Sequence, residues 1–179
     1  MSDYFDLIRR RESCRNFDPN CPVEKEKLAR CAEAAWLAPS ACNGQPWKYL
    51  IVMNPELAMQ LRPLMMELGQ NGFLQKCPAF AVVLEEPAIL KASLAEKLKD
   101  QNFAPIDVAL SVSQFCYAAT EQGLSTCMIG WFNEKKIRKL FAVPRTSRVR
   151  LVIAVGYAAN DKLRKKTRKP IDEVIRYYE

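Results

Sequence analysis

Six consecutive apolar residues, Ala-Phe-Ala-Val-Val-Leu at 79–84, constrain the fold of this chain more than any other feature. A strand-length run with no polar position has no face to offer water, so it belongs inside a sheet covered on both sides. The cover must come from elements that carry an apolar stripe. Residues 23–37 place Leu28, Cys31, Ala32, Ala35 and Trp36 at spacings of three and four, one buried stripe of a helix. Residues 105–122 are apolar on most sides (Ile106, Val108, Ala109, Leu110, Val112, Phe115, Cys116, Ala119) and read as a core helix that Gly123 stops.

Around these, Ser2 is placed to cap a short helix over 3–11, with Tyr4, Leu7 and Ile8 facing inward. Residues 48–53, 125–130 and 148–155 read as further strands. Asn54-Pro55 opens a helix towards Leu68, which Pro63 should kink or break. Helices are also expected over 87–99, over 133–141 and across 170–177. Elements alternate without repeats, low complexity or an internal linker, so 1–179 reads as one domain of mixed α/β layers. Residues 157–179 follow the last core strand and hold few apolar residues. They either wrap over another surface or form a flexible tail.

The chain has no histidine, which removes Ser-His-Asp hydrolysis, Cys-His proteolysis and the His-Glu-x-x-His zinc site. Seven cysteines stand at 14, 21, 31, 42, 77, 116 and 127, none in a Cys-x-x-Cys pair, so no zinc or iron–sulfur site is expected. They read as reduced thiols. The N-terminus lacks an apolar h-region, and no apolar run approaches the roughly 20 residues that cross a bilayer. The expectation is a soluble, cytoplasmic protein with no membrane partner. Gly-x-Gly-x-x-Gly and Walker A sequences are both absent, so neither a Rossmann dinucleotide site nor an NTPase loop is expected.

Three segments carry chemistry. Residues 9–17, Arg-Arg-Arg-Glu-Ser-Cys-Arg-Asn-Phe, hold four arginines in seven positions and a serine, donors that suit a phosphate but also a solvated surface. Residues 38–47, Ala-Pro-Ser-Ala-Cys-Asn-Gly-Gln-Pro-Trp, present a hydroxyl and two amides between prolines. That set can read a polar heterocycle or simply bond its own backbone as a connector. Residues 162–169 hold six cations in eight positions, nearly the whole net charge of +7. So local a charge argues for one or two anion sites rather than a nucleic-acid face.

Taken together, Arg11-x-Ser13-x-Arg15-x-Phe17, Ala38-Pro39-Ser40-x-x-Asn43-x-Gln45-Pro46-Trp47, Gly123-Leu124-x-Thr126-Cys127-x-Ile129-Gly130 and Arg168-Lys169-Pro170 resemble the FMN-dependent nitroreductase family. The resemblance runs from about residue 5 to 176. It implies an α+β fold, with a central mixed, mainly antiparallel sheet sandwiched by helices in an intertwined homodimer whose extension 157–179 wraps the partner subunit. It also implies FMN as cofactor, NADH or NADPH as co-substrate, and a small-molecule electron acceptor such as a nitroaromatic or quinone, turned over by a ping-pong mechanism.

By the same resemblance, Arg11, Ser13 and Arg15 serve the phosphate and ribityl end, joined by Lys166 and Arg168. Pro39, Ser40 and Asn43 come from the other subunit to line the ring, with Gln45 close by and Asn71 near the ribityl chain. The backbone at Ile129 and Gly130 meets flavin N5. The chemistry belongs to the flavin, so no side chain is assigned a catalytic role. Two positions depart from the family pattern: Glu12, where many relatives have a second arginine, and Met128, where an aromatic residue is common. The competing readings are another flavin-dependent activity of the same fold, or a non-catalytic basic module that binds nucleic acid or a phosphorylated partner through 162–169.

Overall fold

A computed structural model describes residues 3–87 and 101–179. Its frame is a four-stranded antiparallel sheet: β1 (Trp47–Val52), β2 (Ala79–Glu85), β3 (Ser125–Ile129) and β4 (Arg148–Gly156), in the order β1-β2-β4-β3. The apolar run lies in interior strand β2, buried from Ala79 to Leu84. Pleating sends alternate residues to opposite faces. Phe80, Val82 and Leu84, with Val152 and Ala154 of β4, pack on Leu61, Met65, Leu74 and Phe17. Ala81 and Val83, with Ile153 and Val155, pack on Leu28, Cys31, Ala35, Val112 and Phe115. The sheet is thus covered on both faces, as its sequence requires.

The helices are α1 (Tyr4–Arg10), α2 (Lys25–Trp36), α3 (Pro55–Leu61), α4 (Ala104–Glu121) and α5 (Glu134–Leu140). Helices α2 and α4 cover one face. Tyr49 of β1 stacks on Phe115 of α4 with centroids 5.6 Å apart, and its hydroxyl lies 2.8 Å from the Ser111 Oγ, which donates to the Ala35 carbonyl of α2. Asn54 caps α3 by accepting from the Leu57 N–H at 3.0 Å. As expected from Pro63, α3 stops early, at Leu61, and 3-10 turns follow over Arg62–Met65 and Glu67–Gly69.

Several expectations need correction. Asp3 supplies the N-terminal cap of α1, accepting from the Phe5 N–H, and α1 buries no residue; Tyr4 is 63% exposed. Trp36 is 62% exposed because it sits about 80° around α2 from Leu28, at the edge of the stripe. Ile106 and Leu110 are exposed, so α4 has one face that the described residues do not cover. Residues 170–177 form a single 3-10 turn, Ile171–Glu173, since a segment that short needs packing to hold a helix and these side chains are exposed. The helix expected over 87–99 lies essentially outside the described residues.

The N-terminal strip 12–18 adds to the sheet without forming a named strand. Ser13 makes a parallel bridge to Thr126 on the outer edge of β3, and the Cys14 N–H donates to the Thr126 carbonyl at 2.8 Å. Phe17 then bridges Ala158, with Asp18 N–H to Tyr157 O and Ala159 N–H to Asn16 O, both at 2.9 Å. Gly156 permits this pairing: a β-carbon there would stand 2.9 Å from the Phe17 ring and 2.8 Å from Pro78. The strip is thereby held between β3 and the C-terminal segment.

Candidate functional site

Because the strip lies beside residues 157–169, the two basic segments meet. The Lys166 Nζ donates to the carbonyls of Ile8, at 2.7 Å, and Arg11, at 2.5 Å, both at the end of α1. Burial first, then the like charges of Arg11 and Arg168, hold the Lys166 ammonium below its ordinary pKa, with Glu12 opposing. Arg11 and Arg168 therefore lie close enough to Lys166 for their like charges to act on it. The Arg11 Nη1 is buried and has no hydrogen-bond partner among the described residues. A buried, unpaired guanidinium nitrogen is costly unless something with negative charge completes it.

Ser13 and Arg15 both act on the Cys127 thiol of β3: Arg15 lowers its pKa as a cation and Ser13 by a hydrogen bond, against a larger rise from burial. Arg15 also lines a recess of about 260 Å³ with Glu12, Cys14, Lys162 and Arg164. The Arg168 guanidinium donates to the adjacent Thr167 carbonyl, at 2.7 Å, and stays exposed. At the far end of β3, Ile129 is buried in the core, while Gly130 is exposed and a β-carbon there would meet nothing within 4 Å. Thr126 and Gly130 are four residues apart, about 13 Å along an extended strand. The outer edge of β3 thus leads from the cationic cluster to an open backbone end flanked by Met128 and Trp131, both exposed.

The loop 39–45 is anchored on α4. Its Ala41 N–H donates to Asp107 Oδ2 on α4 at 3.1 Å, and Pro39 lines an open groove of about 680 Å³ with Tyr4, Leu7, Leu37 and Leu110. The loop partly bonds itself, as a connector would: Ser40 Oγ accepts from the Gln45 N–H at 3.0 Å, and Gln45 Nε2 donates to Asn43 Oδ1 at 3.2 Å. Yet Cys42, Asn43 and Gln45 all take positive φ, between 45° and 54°. Left-handed backbone costs on the order of 1–3 kcal/mol per non-glycine residue and gathers at functional sites. Among the described residues, no hydrogen bond or ion pair joins this loop to residues 11–15. Asn71 takes left-handed backbone, and its Nδ2 donates to the Met65 carbonyl of the Arg62–Met65 turn at 2.9 Å.

One pair was not assigned from sequence. The Glu12 carboxylate accepts from the Arg164 backbone N–H at 3.1 Å and pairs with the Arg164 Nε at 3.5 Å, while the Arg164 Nη2 donates to the Ser13 carbonyl. The available signal was the placement of one acidic residue inside an arginine run.

Comparison with known proteins agrees with this architecture. The model of the Nitroreductase family matches residues 8–157, so the chain belongs to the nitroreductase family. YdgI of Bacillus subtilis (strain 168), named as a candidate NAD(P)H nitroreductase, is 26% identical over 98% of both chains. The oxygen-insensitive NADPH nitroreductase of Helicobacter acinonychis is 25% identical, over 94% of this chain and 93% of its own. A protein of Exiguobacterium sibiricum, solved in complex with FMN, superposes with a TM-score of 0.83 at 20% identity, covering 99% of this chain and 98% of its own. A nitroreductase family protein of Streptococcus pneumoniae gives 0.81 at 22% identity, covering 98% of this chain and all of its own.

Proposed function

We propose that this protein is an FMN-dependent NAD(P)H oxidoreductase that reduces small acceptors such as nitroaromatics or quinones. The observation that carries the reading is the convergence of Arg11, Lys166 and Arg168, with the Arg11 Nη1 buried and unpartnered, next to a sheet edge that ends in the open Gly130. A phosphate dianion would satisfy the first feature and a flat ring the second. FMN, when bound, would supply reversible hydride and electron transfer, chemistry that no side chain of this chain offers.

The chain's own residues then bind and orient. Arg11, Lys166 and Arg168 would hold the phosphate, with Ser13 and Arg15 towards the ribityl chain. The backbone at Ile129 and Gly130 would face the ring, since a missing side chain lets main chain approach closely. Asn71 would be free to join only by releasing the Met65 carbonyl. No dinucleotide fingerprint is present, so NAD(P)H and the acceptor would take turns at one surface, a ping-pong scheme. The basic segment is not a free positive face, because Arg164 and Lys166 are engaged with the strip. That disfavours a nucleic-acid module.

The reading includes a homodimer in which Pro39, Ser40, Asn43 and Gln45 wall the ring of the neighbouring subunit and residues 157–179 wrap it. Two observations support it: the open apolar groove beside Pro39, and the exposed tail side chains Ile171, Val174, Tyr177 and Tyr178. Exposed apolar patches of this kind mark interaction surfaces. Among the described residues, no helix is long and apolar enough to cross a membrane. A cytoplasmic setting, which supplies nicotinamide donors and keeps thiols reduced, fits this reading.

Anaerobic addition of NADH or NADPH to FMN-loaded protein should bleach the visible flavin absorbance. Adding a quinone should restore it, and initial-rate plots should be parallel. Flavin that neither donor reduces would contradict the proposal.

A further inference from the structure

The contact between Glu12 and Arg164 raises a question of charge. Residues 160–170, beyond the Phe17–Ala158 bridge, form no helix and no strand pairing, so side-chain contacts decide where they lie. They carry Lys162, Arg164, Lys165, Lys166, Arg168 and Lys169, and Arg164 and Lys166 contact the strip and the end of α1, which together hold Arg9, Arg10, Arg11 and Arg15. Two positive segments repel: after burial, which comes first, the like charges of Arg11 and Arg168 also hold the Lys166 ammonium down. Something must hold them together before any ligand arrives. Glu12 is placed to do so. Its side chain is only 19% exposed, and one carboxylate oxygen takes both the main-chain N–H and the Nε of Arg164. Arg164 then reaches the Ser13 carbonyl, so it straddles two successive residues of the strip. Two positions further on, Lys166 seats on the end of α1.

We propose that Glu12 is the clasp of the anion site: by holding Arg164 it positions Lys166 and Arg168 beside Arg11, and it strengthens phosphate binding although it carries the phosphate's own sign. This rests on the FMN reading above. A negative residue within a phosphate pocket would ordinarily weaken it, so the two roles predict opposite effects when the charge is removed.

The test uses full-length protein, dialysed free of flavin, as wild type, Glu12→Gln, Arg164→Met and the double variant. FMN affinity is read by fluorescence titration, and tryptic cleavage after Lys165 and Lys166 is followed by mass spectrometry in the absence of FMN. The clasp predicts that each single variant binds FMN roughly tenfold more weakly. The double variant should be no worse than the weaker single, because both remove one contact. Cleavage at 165–166 should accelerate while the thermal midpoint stays near wild type, which a general loss of structure would not produce. Glu12→Gln binding FMN as tightly as wild type, or more tightly, overturns the proposal, as does unchanged cleavage. If Glu12→Gln does not fold, Arg164→Met decides alone by the same two readouts. Wild-type protein that takes up no FMN refutes the functional reading instead, and cleavage of the flavin-free variants then decides the clasp by itself.

Discussion

The Lys166 ammonium donates to the carbonyl oxygen of Arg11 at 2.5 Å, joining residues that lie 155 positions apart. A helix end carries unsatisfied carbonyls, and a cation there is favourable. Here the same cation also stands beside the guanidinium of Arg11, which is not. The arrangement is therefore stable against α1 and frustrated against Arg11, and a bound dianion would remove the frustration.

Arg11→Ala should move binding and stability in opposite directions. Losing a charged hydrogen bond to phosphate should weaken FMN by about 1.5–3 kcal/mol. Removing a buried, unpartnered nitrogen should leave the flavin-free protein as stable as wild type or more so. Paired FMN titrations and thermal melts of the dialysed protein check both signs. Arg15→Ala combined with Arg168→Ala should weaken FMN without the second effect, since both side chains are exposed.

Lys166 makes the site pH-dependent. Its folded pKa lies below the ordinary lysine value of 10.5, so between the two the unfolded chain holds more protons than the native one. Stability of the flavin-free protein should accordingly include a penalty below the folded pKa, relieved as pH rises through that window. FMN affinity should run the other way and fall as Lys166 loses its charge. Isothermal titrations across the alkaline range, compared with Lys166→Met, should show the slope in wild type and a flatter profile in the variant.

The α4 face that the described residues leave uncovered marks where the proposed dimer should be weakest. Leu110 is 43% exposed in the single chain and lines the groove beside Pro39. Leu110→Glu should cost about 2 kcal/mol or more of association. Deleting residues 170–179, where Tyr178 is 86% exposed, should do likewise. Sedimentation velocity over a concentration series should show monomer in both variants where wild type stays paired, and FMN affinity should fall with dimer content.

Thiol chemistry should single out one cysteine. Burial pushes Cys31 and Cys77 up to about 12, and raises Cys14, Cys116 and Cys127 as well. Cys42 is exposed in the left-handed loop. An aromatic disulfide reagent should modify Cys42 first and leave the five buried thiols until the protein unfolds. FMN should slow the reaction at Cys42 if loop 39–45 walls the ring.

Much of the fold was legible because its signals are local. The all-apolar run 79–84 dictated an interior strand, Asn54 and Pro63 marked where α3 begins and fails, and Gly123 marked the end of α4. The misreadings share a cause. Tyr4, Trp36, Ile106 and Leu110 look like core residues by type, yet a single chain leaves them exposed, since apolar periodicity does not say whether the cover comes from the same molecule. Residues 170–177 had helical composition but no packing partner. For the site, Arg11 and the 162–169 cluster were visible as charge. The Glu12–Arg164 pair was not, because a contact between residues 152 positions apart leaves no local periodicity to detect.

The central claim, that the two basic segments form a phosphate grip completed by a second subunit, is tested most directly by titrating dialysed protein with FMN while measuring its mass in solution. A dimer should take up one FMN per chain saturably and lose that uptake when Arg11 and Arg168 are both replaced by alanine. A monomer that binds FMN with wild-type affinity, or a dimer indifferent to that double replacement, would contradict it.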